Sequence, residues 1–92
     1  MISGRLKGKS AIILGAGTSA PGMSIGRQLA ILFAQEGARI FAVDIDRASL
    51  LGTRDLIMKA GGICEIEVAD ATRLTAHERC VAACQSVFGS VD

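Results

Sequence analysis

The chain has 92 residues, is 50% hydrophobic and 21% charged, and sets ten Lys and Arg against nine Asp and Glu for a net charge of +1. That length holds one domain burying roughly 60–65% of its unfolded surface, and the apolar composition excludes a disordered chain. Balanced charge without a basic block argues against nucleic acid or an anionic membrane as principal partner, and the absence of Tyr excludes a phenol acid or base.

In chain order, residues 10–14 (Ser-Ala-Ile-Ile-Leu) read as a buried strand ending at Gly15. Arg5, Lys7 and Lys9 ahead of it imitate a signal-peptide start. The apolar run is only four residues long, however, against about 7–15 for a signal core, and Gly15 and Gly17 interrupt it. Residues 15–23 form a loop of small residues. From Ser24, a candidate N-cap, a helix follows with Ile25, Leu29, Leu32 and Phe33 on its expected core face, and Gly37 stops it after Glu36. Residues 38–43 are a second strand, ending at Asp44. Asp46 is placed to cap a helix over 47–60, with Leu50, Leu51, Ile57 and Met58 on its apolar side and Gly61 and Gly62 at its end. Residues 63–68 form a third strand whose Glu65 and Glu67 alternate with apolar residues, as on a less covered strand near a sheet edge. A last helix spans about 73–87, where Thr75 and Glu78 would form a capping box if it starts late.

The alternation β-α-β-α-β-α predicts an α/β fold, a partial doubly wound (Rossmann) sheet of three parallel strands in order 3-2-1 with helices on both faces. No stretch approaches the ~18–20 apolar residues of a membrane span. The odd cysteine count, Cys64, Cys80 and Cys84, does not make a secreted disulfide framework and points to reduced thiols in the cytoplasm.

The chemistry concentrates between the first strand and the first helix. Gly15-Ala16-Gly17 through Pro21-Gly22-Met23-Ser24-Ile25-Gly26 is a glycine-rich turn leading into a helix N-terminus. Backbone without side chains can approach a pyrophosphate there, and free N–H groups point at it. Asp44 lies 18 residues beyond Gly26, at the end of the second strand. A carboxylate at that place accepts both ribose hydroxyls of an adenosine and repels a 2′-phosphate, which favours NAD over NADP. Arg47 is the counter-argument, because a guanidinium nearby can neutralise a 2′-phosphate. Asp46 reads as helix cap and not as ribose ligand. A mononucleotide phosphate loop would need a Gly-Lys-Ser/Thr ending that this loop lacks.

These motifs give the chain a family resemblance. It resembles the N-terminal part of a short-chain dehydrogenase/reductase through Leu6-Lys7-Gly8-Lys9, the first strand, the glycine loop and Ala34-Gln35-Glu36-Gly37-Ala38. The likeness continues through Val43-Asp44, Ala69-Asp70-Ala71-Thr72 and Phe88-Gly89-Ser90-Val91-Asp92. It implies that Gly15, Gly17, Gly22, Ser24, Ile25 and Gly26 hold the pyrophosphate, that Asp44 holds the ribose, that Asp70 and Ala71 border the adenine, and that Ile45 is a further cofactor-binding residue. The loop departs from the family's usual Gly-x-x-x-Gly-Ile-Gly. Gly15 and Gly26 are eleven apart and Ser24 stands at the middle glycine. A Ser-Ile pair at the helix start is similar to the enoyl-acyl-carrier-protein reductase branch, and it leaves Ser24 able to donate its hydroxyl to the pyrophosphate.

In that family the next strand carries Asn-Ala-Gly, followed by a catalytic Ser and a Tyr-x-x-x-Lys whose Tyr is the general acid/base. None of these motifs occurs in the 92 residues, so no catalytic residue is assigned. The resemblance implies that the chain is the cofactor-binding N-terminal part of a homo-oligomeric oxidoreductase. The parent would move hydride between nicotinamide and a small carbonyl, alcohol or enoyl substrate. The fourth strand would lie beside the first, so the 92 residues alone are expected to be poorly stable, aggregation-prone and inactive. The alternative is a non-enzymatic dinucleotide-binding or regulatory module complete at 92 residues. His77, Cys80 and Cys84 share one helix face at i, i+3 and i+7, but without a fourth ligand at suitable spacing they read as packing, and no metal is assigned.

Overall fold

The computed structural model describes residues 6–16, 25–70, 74–89 and 91, with the backbone alone for 74–76. Six elements alternate: β1 (Ser10–Leu14), α1 (Ile25–Gln35), β2 (Arg39–Asp44), α2 (Arg47–Lys59), β3 (Ile63–Val68) and α3 (Leu74–Phe88). The strands are parallel in the order β1-β2-β3, so the expected 3-2-1 arrangement holds. Leu14 pairs with Val43 and Asp44 with Val68, which brings the C-terminal ends of all three strands level.

Parallel strands covered on both faces must be apolar on both, and β2 shows this residue by residue. Ile40 and Ala42 join one core with Ile13, Ala30, Ala34, Leu50, Ile57 and Cys64, beneath α1 and α2. Phe41 and Val43 point the other way, into a core with Ala69, Cys80 and Cys84 beneath α3. Phe88 closes that second core, edge-on to Phe41 with ring centroids 6.4 Å apart, while the Arg39 guanidinium lies 5.4 Å from the Phe88 centroid. Cys80 and Cys84 are therefore packed as the sequence suggested. Burial pushes the thiol of Cys80 up, with Glu67 adding to the shift, and pushes Cys64 up to about 11.

Local signals set the helix ends. The first helix stops in a Schellman turn: Gly37 N–H donates to Ala34 O (3.0 Å), Ala38 N–H donates to Phe33 O (3.1 Å), and Gly37 takes the φ of +99° that this turn demands. The same pair of bonds ends α2, from Gly61 N–H to Met58 O and Gly62 N–H to Ile57 O. At its start Asp46 accepts Ala48 N–H at 3.0 Å and Ser49 N–H at 3.3 Å, and its carboxylate also takes the Ser49 hydroxyl at 2.9 Å. Those bonds, the Ser49 hydroxyl first, hold Asp46 below the usual carboxylate range.

Three expectations need correcting. The face Ile25, Leu29 and Leu32 of α1 is not core: these residues are 77%, 39% and 49% exposed. The buried residues are Ala30 and Ala34, with Ile31 and Phe33 partly buried, because a helix lying close over a sheet accepts small side chains at the contact. On α2, Leu51 and Met58 are exposed and the buried stripe is Ser49, Leu50, Thr53 and Ile57. Lastly, the α3 backbone is already helical at Leu74, so the late start on which a Thr75 cap depended is not met. The expectation for β3 holds: it is the terminal strand opposite β1, with Ile63 and Glu65 exposed. At the other end β1 is an edge among the described residues, and a groove of about 590 Å³ runs along it, lined by Leu6, Ala11, Ile13, Phe33 and Val91. Among the described residues no helix is long and apolar enough to cross a membrane.

Candidate functional site

The level strand ends create the site. The chain leaves β1 at Gly15, leaves β2 at Asp44 and leaves β3 at Ala69, and backbone bonds lock these exits together. Ala16 N–H donates to Val43 O and Ala69 N–H donates to Asp44 O, both at 3.0 Å. In open α/β sheets the crevice beyond the carboxyl ends of the strands is where ligands bind.

Two glycines have structural reasons. Gly15 turns the chain out of β1 with φ +69°, a region costly for residues with a Cβ. Gly26 sits in the first turn of α1, and a Cβ built there would lie 2.0 Å from Gly15 O and 2.6 Å from Gly15 C. The helix start therefore rests directly on the end of the first strand. Neither of these two glycines sets a side chain between the strand end and the helix start, which suits the close approach of a phosphate.

Asp44 is half-buried at the end of β2, where one carboxylate oxygen accepts Asp46 N–H at 3.1 Å. Such an Asx turn orients the carboxylate before any ligand arrives. Beside it, Ile45 is 69% exposed, an apolar side chain held at the crevice instead of in either core. Asp70 follows β3 and is half-buried. The structure thus brings Gly15, Gly26, Asp44, Ile45 and Asp70 to one edge, with Ile25 exposed at the first position of α1. Gly17, Gly22, Ser24 and Ala71 lie outside the described residues. Asp46 serves as the α2 cap, as read from the sequence.

Reading motifs alone missed Arg27, Ser49 and Thr53. Arg27 Nε donates to the Thr53 hydroxyl at 2.8 Å and its Nη2 donates to Ser49 O at 2.7 Å. Thr53, fully buried, donates to Ala16 O at 2.7 Å. A signal was present: a cation in the first turn of a helix opposes the macrodipole, so Arg27 needed another reason to be there.

Fold and site together define a Rossmann-type α/β unit with its candidate residues at the strand C-termini. No family model matches the chain. The uncharacterized oxidoreductase YxbG of Bacillus subtilis (strain 168) is 40% identical over 76 residues, covering 79% of this chain and 26% of that protein. A short-chain dehydrogenase/reductase structure from Burkholderia xenovorans superposes with a TM-score of 0.89 at 44% identity, covering 97% of this chain and 34% of the other. A 7α-hydroxysteroid dehydrogenase solved with NADH and 7-oxo glycochenodeoxycholic acid superposes at 0.86 with 33% identity, covering 98% and 33% respectively. The chain thus spans about a quarter of the curated relative that it matches and about a third of these solved structures. It is similar to the N-terminal portion of short-chain dehydrogenase/reductases.

Proposed function

We propose that this chain is the cofactor-binding N-terminal segment of a nicotinamide-dinucleotide-dependent oxidoreductase. One observation carries the reading: the bare corner where Gly26 rests on Gly15 stands at the same sheet edge as the oriented carboxylate of Asp44. The corner suits a pyrophosphate at the α1 N-terminus, and the carboxylate suits two ribose hydroxyls. Gly15 and Gly26 belong to the corner, and Gly17, Gly22, Ser24 and Ile25 complete the phosphate loop in this reading. Ile45, Asp70 and Ala71 flank the adenine, with the exposed side chain of Ile45 offering an apolar surface to the base.

The nicotinamide, when bound, supplies or accepts hydride at the substrate carbon. The residues of this chain bind and orient: Asp44 fixes the ribose and the loop backbone holds the phosphates. With no Tyr in the 92 residues, a proton donor of that type comes from elsewhere in the full-length protein. The substrate is a small carbonyl, alcohol or enoyl compound, and the working protein is a cytoplasmic homo-oligomer.

NAD is the preferred cofactor, because a 2′-phosphate would bring its charge against Asp44. Arg47 lies nearby but is exposed, and solvent screens its charge. Equilibrium titration of the full-length protein with NADH and NADPH tests the reading. Tighter binding of NADH is expected, tighter NADPH would refute the role of Asp44, and no binding of either would refute the function.

A further inference from the structure

Thr53 stands in the middle of α2 between Leu50 and Ile57, fully buried, where an apolar residue would satisfy the core. Instead its hydroxyl reaches Ala16 O across 37 positions of sequence. The bonds continue in both directions. Arg27 joins Thr53 to Ser49 O, the Ser49 hydroxyl donates to the Asp46 carboxylate, and Asp46 N–H donates to the Asp44 carboxylate. Every step is between 2.7 and 3.1 Å. One end of this path is the backbone that follows Gly15, and the other is the carboxylate at the end of β2.

We infer that Arg27, Ser49 and Thr53 form a strap that reinforces, on the side-chain face, the spacing that the Ala16 N–H to Val43 O bond sets between the glycine corner and Asp44, so that Arg27 and Thr53 are positioning residues for a ligand spanning both. The inference rests on the dinucleotide reading and adds to it. A ligand that bridges a phosphate site and a ribose site gains affinity from a spacing fixed in advance. Adenosine reaches only the Asp44 end and is indifferent to that spacing. The glycine at position 52 fits the same account. A Cβ there would lie 2.9 Å from Arg27 Nη2, so the bare α2 backbone makes room for the guanidinium.

The test titrates NADH and adenosine separately into the full-length protein and three variants, Thr53→Val, Thr53→Ser and Gly52→Ala, with a thermal melt of each. Gly52→Ala improves helix propensity and sets a Cβ 2.9 Å from Arg27 Nη2, which the flexible guanidinium accommodates by a small shift, so it presses on the strap without weakening the fold. Thr53→Val should weaken NADH about tenfold, the scale of one lost buried hydrogen bond, and Gly52→Ala should weaken it less. Adenosine should bind all four proteins alike, Thr53→Ser should stay within about twofold of wild type, and Gly52→Ala should melt no lower. Unchanged NADH affinity in Thr53→Val overturns the strap while leaving the cofactor reading intact. So does adenosine weakening in step with NADH. A wild-type protein that binds no NADH overturns both.

Discussion

Replacing Gly26 by Ala puts the packing of the phosphate corner to a direct test. The new Cβ would start 2.0 Å from Gly15 O, 2.6 Å from Gly15 C and 3.2 Å from Ala16 Cα, all backbone atoms that cannot rotate away. Cβ contacts under 3.0 Å essentially do not occur, so the start of α1 must retreat by at least 1.0 Å, the difference between 3.0 and 2.0. That movement opens the contact that Ala30 and Ala34 make over Ile13, Ile40 and Ala42. Overpacking of this kind costs roughly 1–3 kcal/mol. The usual gain of about 1 kcal/mol for Ala over Gly applies to helix interiors and is reduced in a first turn. We therefore expect Gly26→Ala to lose about 2 kcal/mol of stability, read by urea denaturation of the full-length protein. NADH affinity should fall at least tenfold (about 1.4 kcal/mol) because the α1 N-terminus has moved. A variant within about 0.5 kcal/mol of wild type and with unchanged NADH affinity would refute the close helix–strand contact as the basis of the site.

Other consequences follow from single residues. Asp44→Ala should weaken NADH about tenfold and bring NADPH level with it; a retained preference for NADH in a binding titration would place the discrimination elsewhere. Asp46→Ala removes the α2 cap and should lower the melting temperature. Because the folded pKa of Asp46 is depressed, its contribution is present above the ordinary value of 3.8 and disappears as pH falls through the lower folded value. Acid titration followed by circular dichroism should accordingly show less loss at low pH in the variant than in wild type. Cys64, with its thiol raised from 9.0 to about 11, should resist alkylation at neutral pH, and its burial as a neutral thiol costs stability as pH rises from 9.0 toward 11. Denaturation midpoints across that alkaline range should fall in wild type and stay flatter in Cys64→Ala.

Much of this arrangement was legible from residue order. The first two strands were short apolar runs ending at Gly15 and Asp44, the third alternated Glu65 and Glu67 with apolar residues, and their pairing order followed from the helical crossovers. Gly37 and Asp46 announced helix ends because their chemistry is local. The faces of α1 and α2 were harder to read. Bulk drew the eye to Leu29, Leu32, Leu51 and Met58, whereas close helix–sheet approach buried Ala30, Ala34 and Thr53. Asp44 was legible as a carboxylate at a strand end, but its orientation by Asp46 N–H depends on turn geometry. The bonds from Arg27 to Thr53 and from Thr53 to Ala16 join residues 26 and 37 positions apart. No local pattern encodes such contacts, and only the unfavourable placement of a cation in the first turn of α1 hinted at them.

A crystal structure of the full-length protein with NADH would test the central claim most directly. The account predicts the pyrophosphate over the Gly15–Gly26 corner at the α1 N-terminus and both adenosine ribose hydroxyls on the Asp44 carboxylate. A cofactor bound elsewhere, or a ribose turned away from Asp44, would contradict it.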